Sequence, residues 1–536
     1  MVSSAVWRVT LLCLEKEVND AITTAKVDVG QASLTANRAV ERILRWLCIV
    51  LASGYVVLFI ALAVLRLMYP YEVEWMEGAM MDHAVRLLDA KPIYTAPSID
   101  FVAWLYPPLY YYAVAAVMKL VGVGWFAGRI VSFASTILTA VMLAGITKKI
   151  TGDNLLAFFS FALYLATYHA TGFYFDIVRN DAFFTLLLVA AAWSALMTRG
   201  MPGVIASALI MFLAIATKQQ AIFFLPAMAI WYWLRDKRSA IVFSAIALGL
   251  AGIGFLAMNA ATSGWLSYYL LQIPRAKRAD FVWMRTLDIF PQYAFGVFTA
   301  SSLALFALIV NAQRSTVKHV PSHTMKQFWS SANGLLAMLT FSALAAGAMS
   351  LGNEGGYANV MMPFAAFVTS FLPIAIREFS SSSPIIARYA YGAILFQLIA
   401  FFFNPFAEKM LIASEHQKRG GDEFFRQLRA IPGEVLIPYH GFIARQAGKP
   451  SHAHVLASLD VLRMHDTTAR RLQANFDTAL AHHRFSAVIL EEAPLFTREA
   501  APAHYTFART MLVEPNVYLT RVRDEATRPQ FVFVPK

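Results

Sequence analysis

The sequence Tyr71-Glu-Val-Glu-Trp-Met-Glu-Gly78 places the carboxylates of Glu72, Glu74 and Glu77 shortly after an apolar segment that ends near residue 66. A second acidic cluster, Asp176-Ile-Val-Arg-Asn-Asp181, separates two further apolar segments. A charged side chain costs about 2.5–3.5 kcal/mol at the centre of a bilayer and less near its surface, so charges beside apolar segments need a reason. If both clusters face the same side of one membrane, they form a candidate active site.

The composition indicates an α-helical polytopic membrane protein. Of the 536 residues, 58% are hydrophobic and 15% are charged, which is more apolar surface than a soluble core buries. A transmembrane helix needs about 20 mostly apolar residues, and about eleven such segments are predicted. They lie near residues 46–66, 125–147, 154–175, 181–198, 203–217, 220–234, 239–260, 291–311, 329–350, 359–376 and 387–404.

The distribution of Lys and Arg predicts the orientation, because short cytoplasmic loops are enriched in these residues. With a cytoplasmic N-terminus, the basic residues between spans collect on the cytoplasmic side; they are Lys148, Lys149, Arg199, Arg235, Lys237, Arg238, Arg314, Lys318, Lys326 and Arg377. Both acidic clusters, the long loop 67–124 and the tail after residue 404 then lie on the outer side. The net charge of +12 suits cytoplasmic loops beside anionic lipids and requires no nucleic-acid partner.

One basic stretch, Pro274-Arg-Ala-Lys-Arg-Ala-Asp280, falls on the outer side and breaks this rule. The span count can be wrong by one, or the loop can reach anionic headgroups. Alternatively, Arg275, Lys277 and Arg278 form a cationic clamp for a lipid phosphate, since Arg and Lys are the residues that bind phosphoryl groups.

Three domains are predicted. Residues 1–45 form a cytoplasmic amphipathic segment, residues 46–404 form the membrane domain, and residues 405–536 form an outer α/β domain. In the outer domain, β-type runs occur at 434–439, 487–490, 517–520 and 531–534, and residues 453–482 are predicted to be helical with Asp466 as an N-cap.

Several motifs resemble those of the GT-C superfamily of membrane glycosyltransferases, which includes lipid A aminoarabinose transferase, protein O-mannosyltransferases and family 39 members. Residues 71–94 resemble the acidic motif after the first helix, and Leu105-Tyr-Pro-Pro-Leu-Tyr-Tyr-Tyr-Ala113 resembles a motif on short surface helices. Residues 175–184, 216–220 and 355–363 resemble the second acidic motif, the Thr-Lys-Gln turn and the element at the tenth helix. The order and spacing of these motifs, rather than any one of them, support the resemblance.

The resemblance implies a GT-C fold and the transfer of a single sugar from a polyprenyl-phosphate donor to an acceptor hydroxyl. The acceptor is a glycan, lipid or protein of the envelope, such as lipopolysaccharide, on the outer face of a bacterial inner membrane. A lipid phosphate leaves readily, so one carboxylate suffices as a base, and the mechanism inverts the anomeric carbon. Cations beside the departing phosphate stabilise its charge.

Glu77 is the predicted base, because the Glu77-Gly78 pair opens the helix of the loop and matches the family position best; Glu74 is the close alternative. Each can instead be a solvated interfacial carboxylate. Asp181 can orient the acceptor or a cation, and Arg179 can pair with Asp181 or reach the donor phosphate. Lys218 must meet a carboxylate or a phosphate oxygen, because burying it unpaired is costly.

The aromatic residues Tyr106 and Tyr110 of the surface-helix motif, and Asn359, are candidate substrate contacts, although Tyr110 also fits an interfacial belt. His83 and His169 are expected to be hydrogen-bonded structural residues. The chain lacks the ligand spacing of a zinc site, and no cofactor is assigned. A divalent cation, Mg²⁺ or Mn²⁺, near the acidic loops stays open.

Two other classes of protein compete with this interpretation. In a transporter or flippase of lipid-linked sugars, intramembrane charges mark a permeation path. Here the charges cluster at one surface and the sequence has no evident inverted repeat between its halves, which favours an enzyme. A non-catalytic scaffold for envelope assembly is the third alternative.

Overall fold

The computed structural model describes Lys16 and residues 39–277, 283–318, 326–352, 356–380, 384–403, 414–491, 503–511, 521–522, 525–526 and 529–536. The predicted amphipathic segment lies mostly outside these residues. The first helices are α1 (Ala39–Leu67), α2 (Glu77–Leu88), α3 (Leu109–Val121), α4 (Trp125–Thr151), α5 (Asn154–Ala166), α6 (Asn180–Met197), α7 (Gly200–Thr217), α8 (Leu225–Arg235) and α9 (Lys237–Ala261). Longer helices that follow are Trp283–Pro291, Thr299–Lys318, Ala332–Leu351, Met362–Val368, Phe371–Ser380 and Pro384–Phe402.

The architecture is that of a multi-pass helical membrane protein. Within the described residues, seven segments are long and apolar enough to cross a membrane, and four further apolar helices are shorter. The seven are α1, α4, α6, α7, α9, Ala332–Leu351 and Ala358–Phe379. A helix is present at each of the eleven predicted segments, but not every one has the length of a span.

Two predicted spans are shorter than expected. Helix α5 begins after the N-cap Asp153 and ends at Ala166, whereas the sequence predicted a span to residue 175. The chain then turns through Gly172, whose φ of +72° suits glycine, and this turn leads into the second acidic cluster. The predicted span 220–234 is a 3-10 turn, Gln219–Phe223, followed by α8 of 11 residues, which reaches only about 17 Å.

The C-terminal part of the chain, called the outer domain after the side of the membrane predicted for it, is a small α/β unit. Its four-stranded sheet has the order β1 (Val435–Leu436), β2 (Ala487–Leu490), β6 (Phe531–Pro535) and β3 (Tyr505–Thr510), and β4 (Arg521–Val522) pairs with β5 (Glu525–Ala526). Only β1 and β2 are parallel. The helices are Glu415–Ala430, Gly441–Gln446, Val455–Leu462 and Thr467–Ala481.

Most of the predicted elements of this domain are present. Strands occur in three of the four predicted runs, and the fourth, 517–520, lies outside the described residues. Asp466 caps the helix Thr467–Ala481, accepting a hydrogen bond from the Ala469 amide at 2.7 Å. Strand β3 was not predicted; it is short, and five of its six residues are exposed.

The outer domain shares a core with the long loop. Met80 and Val85 of α2 and Val114 of α3 belong to one buried cluster with Leu436 and Phe442 of the outer domain. This shared core places the outer domain directly over the loop that carries the first acidic cluster.

Candidate active site

The site lies where one set of helix ends meets. The end of α1, the starts of α2, α4 and α6, and the end of α7 bring together the two acidic clusters, which are about 100 residues apart along the chain. At the other end of α4, Lys149 donates a hydrogen bond to the carbonyl of Leu196 near the end of α6. The acidic site and these basic helix ends are therefore at opposite ends of the helices.

Glu77, the predicted base, is fully buried and fully hydrogen-bonded. Its carboxylate accepts two bonds from Arg129, at 3.0 and 2.8 Å, and one each from the amides of Val178 and Val73, at 2.8 and 2.7 Å. Burial alone would raise its pKa, but the Arg129 guanidinium and these donors hold the pKa of Glu77 below its usual value. Glu77 therefore links the two acidic clusters and has little capacity to accept a proton.

Arg129 is a site residue that sequence reasoning missed. It is fully buried one turn into α4, and besides Glu77 it donates to the carbonyls of Arg66, Tyr69 and Tyr71 at 2.6–2.9 Å. It thereby ties the end of α1 to the acidic loop. The available signal was a lone charge inside the predicted span 125–147, where burial of an unpaired cation is costly.

Asp176 holds the second cluster to α1. Its carboxylate lies 3.1 Å from Arg66 Nε and accepts a hydrogen bond from the Tyr168 hydroxyl at 2.8 Å. Both side chains of this ion pair are buried, and the pair holds the second acidic cluster against α1.

Glu74 differs from its neighbours. Its side chain is about one-tenth exposed, it accepts a 3.1 Å bond from the Met76 amide, and its oxygens lie 3.4 and 3.5 Å from Arg179 Nη1. Burial raises the pKa of Glu74 to about 7, because the loss of solvation outweighs the effect of Arg179. A carboxylate that titrates near neutral pH can both accept and release a proton.

Arg179 lies between two carboxylates without a close bond to either. Its Nε is 3.7 Å from Asp181 Oδ2, and within the described residues this buried Nε has no hydrogen-bond partner. Burial alone would lower its pKa, but Glu74 and other neighbours raise the pKa of Arg179 above its usual value. Arg179 is therefore a charged donor with an unused N–H.

Lys218 is paired with a carboxylate, which was one of its two predicted partners. Its Nζ lies 2.5 Å from Asp181 Oδ1, and the Asn359 side chain also faces Asp181. The ring of Tyr106, which is partly buried, lies 5.9 Å from Lys218 Nζ. The predicted substrate residues Asp181, Lys218, Asn359 and Tyr106 are thus neighbours.

Tyr110 and the two histidines are packed rather than open. The Tyr110 side chain is buried, and its hydroxyl is 3.3 Å from Ser132 Oγ, so it is not part of an exposed interfacial belt. The ring of His83 lies 2.6 Å from the Ala79 carbonyl and 3.0 Å from the Trp104 amide, and burial lowers its pKa to about 3. His169 packs edge-on against Phe173. Both histidines behave as structural residues.

The predicted cationic clamp is only partly visible. Lys277 forms an ion pair with Asp460 of the outer domain, so it binds a carboxylate of this chain rather than being free for a phosphate. Arg275 is exposed, and Arg278 lies outside the described residues. Lys277 is thus already paired with a carboxylate, and the clamp stays a prediction.

The carboxylates suggested for a divalent cation already face cationic side chains. Glu77 contacts Arg129, Glu74 faces Arg179, and Asp181 contacts Lys218. Among the described residues, no three His, Cys, Asp or Glu side chains converge in a way that could hold a metal ion. The residues present therefore do not fit a bound divalent cation at this position.

Glu72 connects the acidic loop to the outer domain. It is fully buried, accepts a 2.9 Å bond from the Gly78 amide and contacts His440 Nδ1. His440 and its second carboxylate partner, Glu491, were not assigned roles from sequence. Nothing in the tail sequence indicates which of its residues contact the acidic loop.

Comparisons with known proteins agree with this architecture. Residues 106–265 match the dolichyl-phosphate-mannose-protein mannosyltransferase family. ArnT from Cupriavidus metallidurans, bound to undecaprenyl phosphate, matches with a TM-score of 0.57 and 10% identity, over 90% of this chain and 98% of that chain. The Archaeoglobus fulgidus oligosaccharyltransferase, in complex with Zn and sulfate, has a TM-score of 0.50 and 11% identity, over 81% and 67% of the two chains.

No curated protein sequence gives a significant match. At these identities the structural likeness establishes the fold, and the family match covers the segment from the surface-helix motif to the end of α9. The chain has the GT-C fold of membrane glycosyltransferases that its motifs predicted.

Proposed function

We propose that this protein transfers a single sugar from a polyprenyl-phosphate donor to a hydroxyl group of an acceptor, with Glu74 as the general base. The observation that carries the proposal is a partly exposed carboxylate with a pKa of about 7 that faces an incompletely bonded guanidinium, that of Arg179. The family match and the lipid carrier bound to the ArnT structure support a lipid-phosphate donor.

Glu74 is preferred to Glu77 as the base because of the bonds that each carboxylate already makes. All of the acceptor positions of Glu77 face donors, and proton transfer to it would disrupt its bidentate pair with Arg129. Glu74 has one amide donor and a long contact to Arg179. A base must be able to accept the proton of the hydroxyl that it deprotonates, and of these two carboxylates Glu74 has the fewer donors to lose.

Arg179 is the proposed ligand of the donor phosphate. Its Nε–H has no protein acceptor among the described residues, and an arginine fork matches phosphate oxygens. Lys218 and Asp181 form a neutral pair beside it, so we assign them to holding the site and orienting the acceptor. The partly buried ring of Tyr106 provides an apolar face for the sugar.

The proposed reaction is a single displacement. Glu74 takes the proton of the acceptor hydroxyl while the hydroxyl oxygen forms a bond to the anomeric carbon. The bond between that carbon and the phosphate oxygen breaks, and its electron pair leaves with the polyprenyl phosphate, whose charge Arg179 stabilises. Attack opposite the leaving group inverts the anomeric configuration. In this proposal Arg179 supplies the positive charge beside the phosphate.

The proposed location is the outer face of a bacterial inner membrane. The site lies at the helix ends opposite those that carry Lys148 and Lys149, and short basic loops favour the cytoplasmic side. The acceptor is then an envelope glycan, such as lipopolysaccharide, or a lipid or protein, which the outer domain is positioned to receive.

The test is a transfer assay with purified protein and a panel of polyprenyl-phosphate sugars, scored by release of the lipid phosphate. Wild-type protein is expected to release it from one donor, and Glu74→Gln to be slower by about 100-fold to 10,000-fold. Asp89→Asn, a change at an exposed carboxylate of the same loop, is the matched control. Full activity of Glu74→Gln, or no release from any donor, would contradict the proposal.

A further inference from the structure

The outer domain reaches the acidic loop through one buried histidine. His440, just before the helix Gly441–Gln446, is fully buried. Its Nδ1 contacts Glu72 Oε2, and its Nε2 lies 2.5 Å from Glu491 Oε1. The histidine therefore bridges a carboxylate of the membrane domain and a carboxylate that follows strand β2 of the outer domain.

The two contacts define the charge of the histidine. Carboxylates accept hydrogen bonds, so both ring nitrogens must carry protons, as they do only in the imidazolium form. Burial alone would lower its pKa, but Glu72 and Glu491 together raise the pKa of His440 to about 10. His454 is a further titratable neighbour, and it is neutral because burial lowers its pKa to about 3.

Glu72 connects His440 to the segment that carries Glu74. Its Oε1 accepts the Gly78 amide in the first turn of α2 at 2.9 Å, and a Cβ at Gly78 would lie 2.6 Å from that oxygen. Glu74 lies between these two anchor points, and its carbonyl accepts the Glu77 amide at 2.8 Å. Glu74 itself, Glu77 and Asp82 are carboxylates that interact with Glu72 electrostatically.

We infer that His440 is a positioning residue, which holds Glu72 and thereby fixes the loop segment on which Glu74 acts. This inference rests on the proposed function. It assigns the outer domain a role in catalysis through a defined contact, and it predicts that the domain cannot be separated from the loop without loss of turnover.

The test compares His440→Gln with His452→Gln. His452 is an outer-domain histidine of similar burial that also faces two carboxylates, Asp100 and Glu434, but it has no contact with Glu72 or Glu74. His440→Gln is expected to lower kcat by about 10-fold to 100-fold, the scale of a misplaced catalytic group, with KM for the lipid-linked donor unchanged. His452→Gln is expected to lower the thermal transition without lowering kcat.

A second variant separates positioning from general damage. In Glu72→Gln/His440→Gln, the cation and one of its carboxylates are removed together, and an amide pair can replace their contact. Its kcat is expected to exceed that of His440→Gln. An unchanged kcat in His440→Gln, or an equal loss in His452→Gln, would overturn the inference even if Glu74→Gln is inactive. Activity of Glu74→Gln would instead overturn the proposed function.

Discussion

Removal of Glu74 and removal of Glu77 should change the stability of the protein in opposite directions. The ordinary pKa of a glutamate is 4.5, and in the folded protein that of Glu74 is raised to about 7 while that of Glu77 is lowered. Ionised Glu74 therefore destabilises the fold, whereas ionised Glu77 stabilises it. Glu74→Gln should abolish transfer and yet stabilise the protein at alkaline pH.

The magnitude follows from the shift of the Glu74 pKa. Between pH 4.5 and 7 the folded state holds a proton that the unfolded state has lost, so the contribution of Glu74 is fully present below 4.5 and is lost as pH rises through 7. A shift of about 2.5 pKa units corresponds to at most about 3 kcal/mol. For cooperative unfolding of 536 residues, this amounts to a rise of about 3 °C in Glu74→Gln.

Glu77→Gln should behave differently. The change leaves Arg129 buried without its counter-charge, and breaking such a pair costs about 3–5 kcal/mol. The loss should be present at both about pH 5 and about pH 8, because both values lie above the ordinary pKa of Glu77.

The assay is thermal unfolding of the purified proteins in detergent, followed by intrinsic fluorescence at about pH 5 and about pH 8, with Asp89→Asn as the control. The unfolding temperature of Glu74→Gln should exceed that of the wild type mainly at the higher pH. A loss of stability in Glu74→Gln at about pH 8, or a gain in Glu77→Gln, would refute the assignment of roles to the two carboxylates.

Two further predictions concern the buried cations. Arg129→Lys should lower the free energy of unfolding by about 3–5 kcal/mol, because an ammonium cannot donate to Glu77 and three carbonyls together. The same change at the half-buried Arg86 should lower it only mildly. An equal loss of stability in the two variants would contradict the role assigned to Arg129. Lys218→Met should be destabilising because it leaves Asp181 buried without its close cationic partner. Lys218→Met/Asp181→Asn should recover most of the loss in the same unfolding assay, and a double variant no more stable than the single one would contradict the pairing.

The class of fold and the proximity of the two acidic clusters could be predicted from sequence, because both depend on local composition and on the alternation of spans. Apolar length identifies a membrane helix wherever it occurs, and Lys and Arg identify its orientation. The first cluster meets the second at the Glu77–Val178 contact, which the shared side of the membrane had suggested. The ends of spans, such as the end of α5 at Ala166, were harder to predict from sequence, since an aromatic-rich turn has the same composition as a helix.

The roles within the site depend on partners that are remote in sequence. Glu74 and Glu77 are three residues apart and chemically identical, so spacing alone cannot distinguish them. The difference arises because α4 brings Arg129 to Glu77, 52 residues along the chain. His440 is 368 residues from Glu72, and no pattern around either residue indicates the other.

The arrangement of charges explains why one carboxylate of the site is suited to chemistry. A buried carboxylate that receives a bidentate guanidinium and several amides is stabilised as an anion, and it becomes part of the framework. Glu77, Asp181 and Asp176 all have close cationic partners, and Glu72 has an imidazolium. Glu74 faces its cationic partner at 3.4 Å, and burial raises its pKa because this partner offsets only part of the lost solvation. The pKa of Glu72 is also raised to about 7, but its oxygens are held by His440 and the Gly78 amide. Glu74 combines a raised pKa with only a long contact to its cation, and a base requires that combination.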